Sequence, residues 1–240
     1  MIRLKKQETF VFAGDSITHG GRSPSMDPNH IMGHGFPELI SARLAADNLD
    51  LQPQFVNKGV SGDTTQGIYS RWAVDVLRFR PTVISLLAGV NDIGRNYDMP
   101  PETALRKYRS TVEMILQDTF ELLPDVRFFL CEPFWMDVRN QEAPFEGIPH
   151  PVCEPAFRFS NADRQEERIR EYARRIAMMQ QELPALAAKY GAVYVPFQDL
   201  FDEGAKKVPA SYLIWDNVHP TMTGHQLLAD RWLKTAATVL

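Results

Sequence analysis

Four short stretches of this 240-residue chain combine the residue types that acyl transfer requires. Gly14-Asp15-Ser16-Ile17-Thr18 sets a serine in a glycine-led turn opening toward a helix, where its hydroxyl can attack and its own N–H lacks a helical partner. The same serine also reads as an ordinary N-cap. Asn57-Lys58-Gly59-Val60-Ser61-Gly62-Asp63-Thr64-Thr65 brings backbone close to a ligand, and the Gly62 N–H is a candidate oxyanion donor. Gly89-Val90-Asn91-Asp92 adds the Asn91 side-chain amide, with two donors of its own. Asp216-Asn217-Val218-His219-Pro220 places a carboxylate three residues before a histidine, close enough to orient Nδ1 and leave Nε2 to take a proton from serine.

Each stretch alone fits a common turn or cap. Together they supply a nucleophile (Ser16), a base (His219), an orienting acid (Asp216) and three oxyanion donors: the Ser16 and Gly62 N–H groups and the Asn91 amide. Asp15, His19, Asp92, Arg95, Trp135 and Trp215 are further candidates for substrate contact. Asp15 and Asp63 read equally as turn-holding residues, Asp92 and Arg95 as an ion pair, and Trp72 and Trp215 as packing residues. His30, His34, His150 and His225 have no metal-ligand spacing, so neither a metal nor a cofactor is expected.

These residues need elements to position them. Apolar runs rich in β-branched and aromatic residues occur at 9–13, 54–57, 82–88, 126–131 and 192–196, each at or near a Gly or Pro. Helical spacing occupies 36–48, 67–79, 102–122 and 163–190, with Pro184 expected to kink or divide the last. A final helix is expected near Thr223, with Thr223 and Gln226 as a capping box. The alternation describes an α/β chain, a parallel sheet with helices on both faces, whose ligand crevice lies at the carboxyl ends of the strands. The four chemical stretches fall at those ends or at the start of a helix. Residues 136–161 carry Pro144, Pro149, Pro151 and Pro155 without a clean period and read as a long loop inserted in one domain spanning 1–240.

Composition narrows the partners. With 26 Lys+Arg against 30 Asp+Glu, a net charge of −4, the chain lacks the basic excess of a nucleic-acid binder. No apolar run suggests a signal peptide or membrane span. Two cysteines, Cys131 and Cys153, form neither a disulfide framework nor a zinc motif, which fits a cytoplasmic setting and a small-molecule partner.

The ordered strings GDSITHG, NKGVSGDTT, GVND and DNVHP resemble the four blocks of the SGNH, or GDSL-type, hydrolase superfamily. The resemblance implies a three-layer α/β/α sandwich with a five-stranded, flavodoxin-like parallel sheet. It implies the same roles for Ser16, Gly62, Asn91, His219 and Asp216, without a cofactor. The absence of a GxSxG elbow separates the chain from α/β-hydrolases. Within the superfamily it looks like the acetylxylan and carbohydrate acetyl-esterases, which implies an O-acetylated sugar or oligosaccharide substrate and a homo-oligomer. Gly94 stands where those esterases commonly carry an aromatic, and Phe134, Trp135 and Phe145 are candidates to replace that contact. The rival readings are a lipase or thioesterase of longer acyl chains and a glycan-binding module without turnover.

Overall fold

The structure, a computed structural model, describes residues 2–25, 27–138 and 162–240. Its centre is a sheet of β1 (Thr9–Gly14), β2 (Gln54–Asn57), β3 (Val83–Leu87), β4 (Arg127–Cys131) and β5 (Val193–Val195). The order is β2-β1-β3-β4-β5 and every pairing is parallel. The five apolar runs are these strands, shifted by no more than a residue at any end; the inner strands β1, β3 and β4 are buried almost throughout, as an apolar run requires, and the edge strands β2 and β5 only in part.

Helices α1 (Ser16–His19), α2 (Phe36–Asp47), α3 (Thr65–Ser70), α4 (Trp72–Asp75), α5 (Val90–Arg95), α6 (Pro101–Leu122), α7 (Ala162–Tyr190), α8 (Gln198–Gly204) and α9 (Met222–Ala236) surround the sheet. Neighbours on β4 show the division into layers, since successive side chains leave opposite faces of a strand. Phe129 meets Trp232 of α9 with ring centroids 4.5 Å apart, and α9 packs on α2. Phe128 turns to the other face, toward Trp72 at 6.2 Å and Phe120 of α6, which packs against α3 and α7. Both tryptophans keep their N–H groups satisfied: Trp72 Nε1 donates to Thr119 Oγ1 and Trp232 Nε1 to Ser85 Oγ.

Three expectations are corrected. Residues 67–79 form α3, α4 and a 3-10 turn (Leu77–Phe79) rather than one helix. Ser70 Oγ and Arg71 Nη1 both donate to the Gly67 carbonyl, competing with the helical ladder where it breaks. Of the two outcomes expected at Pro184, division is the one corrected: α7 continues through it, with Leu183, Leu186 and Ala187 buried around that position. The last helix is capped by Thr221, whose Oγ1 accepts the Gly224 N–H, so Thr223 and Gln226 lie inside it. Of the expected loop 136–161, only 136–138 fall among the described residues, and His150, Cys153 and Phe145 lie outside them. Among the described residues no helix is long and apolar enough to cross a membrane.

Candidate active site

Strand order reverses between β1 and β3, the position at which sheets of this order leave a crevice at their carboxyl ends. Ser16 opens α1 directly beyond β1, Gly62 follows β2, and Asn91 lies in α5 beyond β3. Asp15 caps α1, with Oδ1 accepting the Ile17 N–H at 3.0 Å. Gly20, in the left-handed region at φ 51°, ends that helix after a single turn. The loop after β2 lies against α1: Val60 N–H donates to Gly14 O, and Asn57 Nδ2 donates to Thr18 O. Gly59 permits this approach, because a Cβ there would stand 2.3 Å from the His19 nitrogen.

Ser16 Oγ lies 2.7 Å from His219 Nε2, and His219 Nδ1 lies 2.6 Å from Asp216 Oδ2. The other Asp216 oxygen accepts the His219 N–H at 2.8 Å, so one carboxylate fixes both the ring and its backbone. Asn217 anchors this turn. Its backbone is left-handed at φ 81°, its Nδ2 donates to Met136 O, and its carbonyl accepts the Met136 N–H. A hydroxyl so placed can surrender its proton to the imidazole as it attacks a carbonyl carbon, while the carboxylate stabilises the imidazolium.

The donor side is equally tied down. Asn91 Nδ2 gives one hydrogen to Asp63 O at 3.0 Å and retains a second donor. The adjacent Gly62 is left-handed at φ 81°, and neither its N–H nor that of Ser16 has a protein acceptor among the described residues. Asp92 joins the two loops further in, accepting the Thr65 N–H at 3.0 Å and its hydroxyl at 2.5 Å.

The charges around the serine are unequal in burial. Burial lifts the Asp15 carboxyl to about 7 and that of Asp92 to about 6, with hydrogen bonds opposing the rise in both. For His219 burial lowers the pKa, but the hydrogen bond and charge of Asp216, helped by Asp15, outweigh it and leave the ring above its ordinary value.

Residues 12–227 match the family model of the GDSL-like lipase/acylhydrolases, most of the chain. The chain belongs to that family. It is accordingly a carboxylic ester hydrolase. Among its GDSL-like relatives is an acetylxylan esterase of Geobacillus stearothermophilus, 27% identical over 239 residues, covering 97% of this chain and 95% of that protein. A crystal structure of a catalytic mutant of that esterase superposes with a TM-score of 0.72 at 26% identity, covering 98% of this chain and 96% of its own. A candidate GDSL-like lipase from Parabacteroides merdae gives a TM-score of 0.75 at 29% identity, covering 98% and 97%.

Within this GDSL-type site the substrate-contact candidates separate. Asp15 and Asp92 are buried, at 1% and 3% exposure, and accept hydrogen bonds from the Ile17 and Thr65 N–H groups, which hold the loops of the site. Trp135 is buried too, its ring stacked on Tyr172 with centroids 5.1 Å apart. Phe134 is wholly buried against Phe197 and Phe201. Asp92 does not pair with Arg95, which is exposed and has no carboxylate partner among the described residues. His19 is half-buried with Nδ1 accepting the Gly21 N–H. Trp215 is 40% exposed beside Asp216, its backbone N–H donating to His219 O, so it is a surface residue at the site rather than a core one. Among the described residues no group of three or more His, Cys, Asp or Glu is arranged to hold a metal.

Sequence reasoning passed over Thr65, Asn217 and Arg175. Arg175, buried in α7, donates to the carbonyls of Asn96, Tyr97 and Met99 and so fixes the chain leaving α5. Asn217 alone carried a readable signal, as asparagine tolerates left-handed backbone in tight turns.

Proposed function

We propose that the chain hydrolyses acetyl esters of carbohydrate through Ser16, His219 and Asp216. Ser16 Oγ bonds to the ester carbonyl carbon as its proton passes to His219 Nε2. The oxygen that gains charge is held by the Ser16 and Gly62 N–H groups and the free Asn91 donor. Collapse breaks the bond to the sugar oxygen, which takes the proton from His219. Water then adds to the acyl-enzyme with its proton going to His219, and acetate leaves as Oγ regains that proton.

The observation that carries this reading is the unbroken contact from Ser16 Oγ through the His219 ring to Asp216, at 2.7 and 2.6 Å. The acetyl and carbohydrate parts are supported by similarity to an acetylxylan esterase over nearly the full length, and by the exposed Trp215 ring, a surface suited to the face of a sugar. The test is turnover of p-nitrophenyl esters from acetyl to palmitoyl and of acetylated oligosaccharides. Acetyl preference, abolished in Ser16→Ala together with fluorophosphonate labelling, is the expected result. Full activity of Ser16→Ala overturns the mechanism, and faster turnover of the long esters overturns the acyl assignment.

A further inference from the structure

A groove of about 320 Å³ runs along the outer edge of β2, beside the loops that carry Ser16 and Gly62. Its floor is apolar, from Met32 and Phe55, while Arg22, Lys58 and Arg78 line it with positive charge. The cations are held in place. Arg22 Nε donates to Gly59 O at 3.0 Å, leaving its terminal nitrogens without a carboxylate partner among the described residues. Lys58 Nζ and the Arg78 guanidinium both sit on the Phe79 ring, 5.2 and 5.0 Å from its centroid. Lys58 has a carboxylate nearby, Asp75 at 3.7 Å, and that carboxylate is already bonded to Arg71 at 2.8 Å. Arg78 has none among the described residues. In a chain of net charge −4, three cations lining one groove, of which only Lys58 has a carboxylate beside it among the described residues, form a local excess of positive charge.

The groove is lined by the chain segments that lead away from Ser16 and toward Gly62. Arg22 follows Ser16 by six residues and grips the loop that reaches Gly62, while Lys58 precedes Gly62 by four. We propose that this groove binds an anionic group, a carboxylate or phosphate, on the glycan whose ester Ser16 cleaves. The apolar floor takes a sugar face and the guanidinium forks take the oxyanion, the geometry arginine suits. The proposal rests on the carbohydrate-ester reading of the neighbouring site.

Three acetylated oligosaccharides of equal length test it: one neutral, one bearing a uronic acid and one bearing a sugar phosphate. Wild-type kcat/KM is expected to be about tenfold higher on at least one charged substrate than on the neutral one, as a charge-assisted contact allows, and to lose that advantage in high salt. Arg78→Ala should remove the advantage while leaving p-nitrophenyl acetate and the neutral oligosaccharide unchanged. The charged arm that responds identifies the group. Equal rates on all three, or an equal loss on all three in Arg78→Ala, overturns the proposal. Calorimetric titration of Ser16→Ala with the charged, deacetylated oligosaccharides separates the two readings. Binding that Arg78→Ala abolishes supports the groove even if no ester is turned over, and no binding there overturns it even if esters are cleaved.

Discussion

Asn91 Nδ2 donates to the backbone carbonyl of Asp63, the residue following Gly62, so the two proposed oxyanion donors are set by one hydrogen bond between neighbouring loops. Only one hydrogen of the amide is used there, and the other is the one proposed to meet the substrate oxygen. Asn91→Ala should therefore lower kcat by about a hundredfold or more, as loss of one such donor does elsewhere, with little change in KM. Steady-state kinetics on p-nitrophenyl acetate check this, and a drop confined to KM would contradict it.

Asp15 carries the second expectation. Its folded pKa, about 7 against an ordinary 3.8, means the folded protein binds more protons than the unfolded chain between those values. Its contribution to stability is thus present at low pH and is lost as pH rises toward 7. Asp15→Asn retains an oxygen for the Ile17 N–H and removes the titration. The stability of wild type relative to the variant should decline from pH 4 to about 7 and then level, as followed by denaturant melts.

His225 behaves oppositely. Buried in α9, it accepts the Phe36 N–H on Nδ1 and so remains neutral, with burial pulling its pKa to about 4 from 6.5. The unfolded chain binds the extra proton between those values, so stability falls as pH drops through that interval. His225→Leu should be destabilised by about 1–3 kcal/mol at pH 7, having orphaned a buried N–H. That difference should shrink toward pH 4, which thermal melts at stepped pH would show.

Asn217 provides the fourth. Alanine there would force a side chain into left-handed backbone and leave the Met136 carbonyl without its donor, for a loss of about 2–4 kcal/mol. Asn217→Gly should recover the backbone part only. In both variants kcat should fall, because the turn that holds Asp216 and His219 has lost its anchor. Melting temperature and kcat measured on the pair distinguish the two contributions.

The sheet was legible in the sequence because strands such as Val83–Leu87, buried on both faces, leave an apolar run that requires no knowledge of their neighbours. The placement of Ser16, Gly62, Asn91, Asp216 and His219 was legible because each sits in a short local motif at a strand end or helix start. Burial of polar groups was not. Asp92 reads as a rim residue until its partner Thr65, 27 positions away, is seen to draw it beneath the crevice. Arg175 reaches backbone 76 to 79 positions earlier, and no local period encodes such a contact. The break at Arg71 likewise arises from side chains competing for the Gly67 carbonyl, which helical spacing in 67–79 conceals.

Ser16 and His219 touch although 203 positions separate them. During synthesis Ser16, Gly62, Asn91 and the strands emerge well before His219. Catalysis should therefore begin only after the final segment has docked on the first strand, a closure of high sequence separation that tends to be slow. Regained esterase activity thus becomes a clock for the completion of folding, and a chain expressed in two halves should report their reunion by turning over ester.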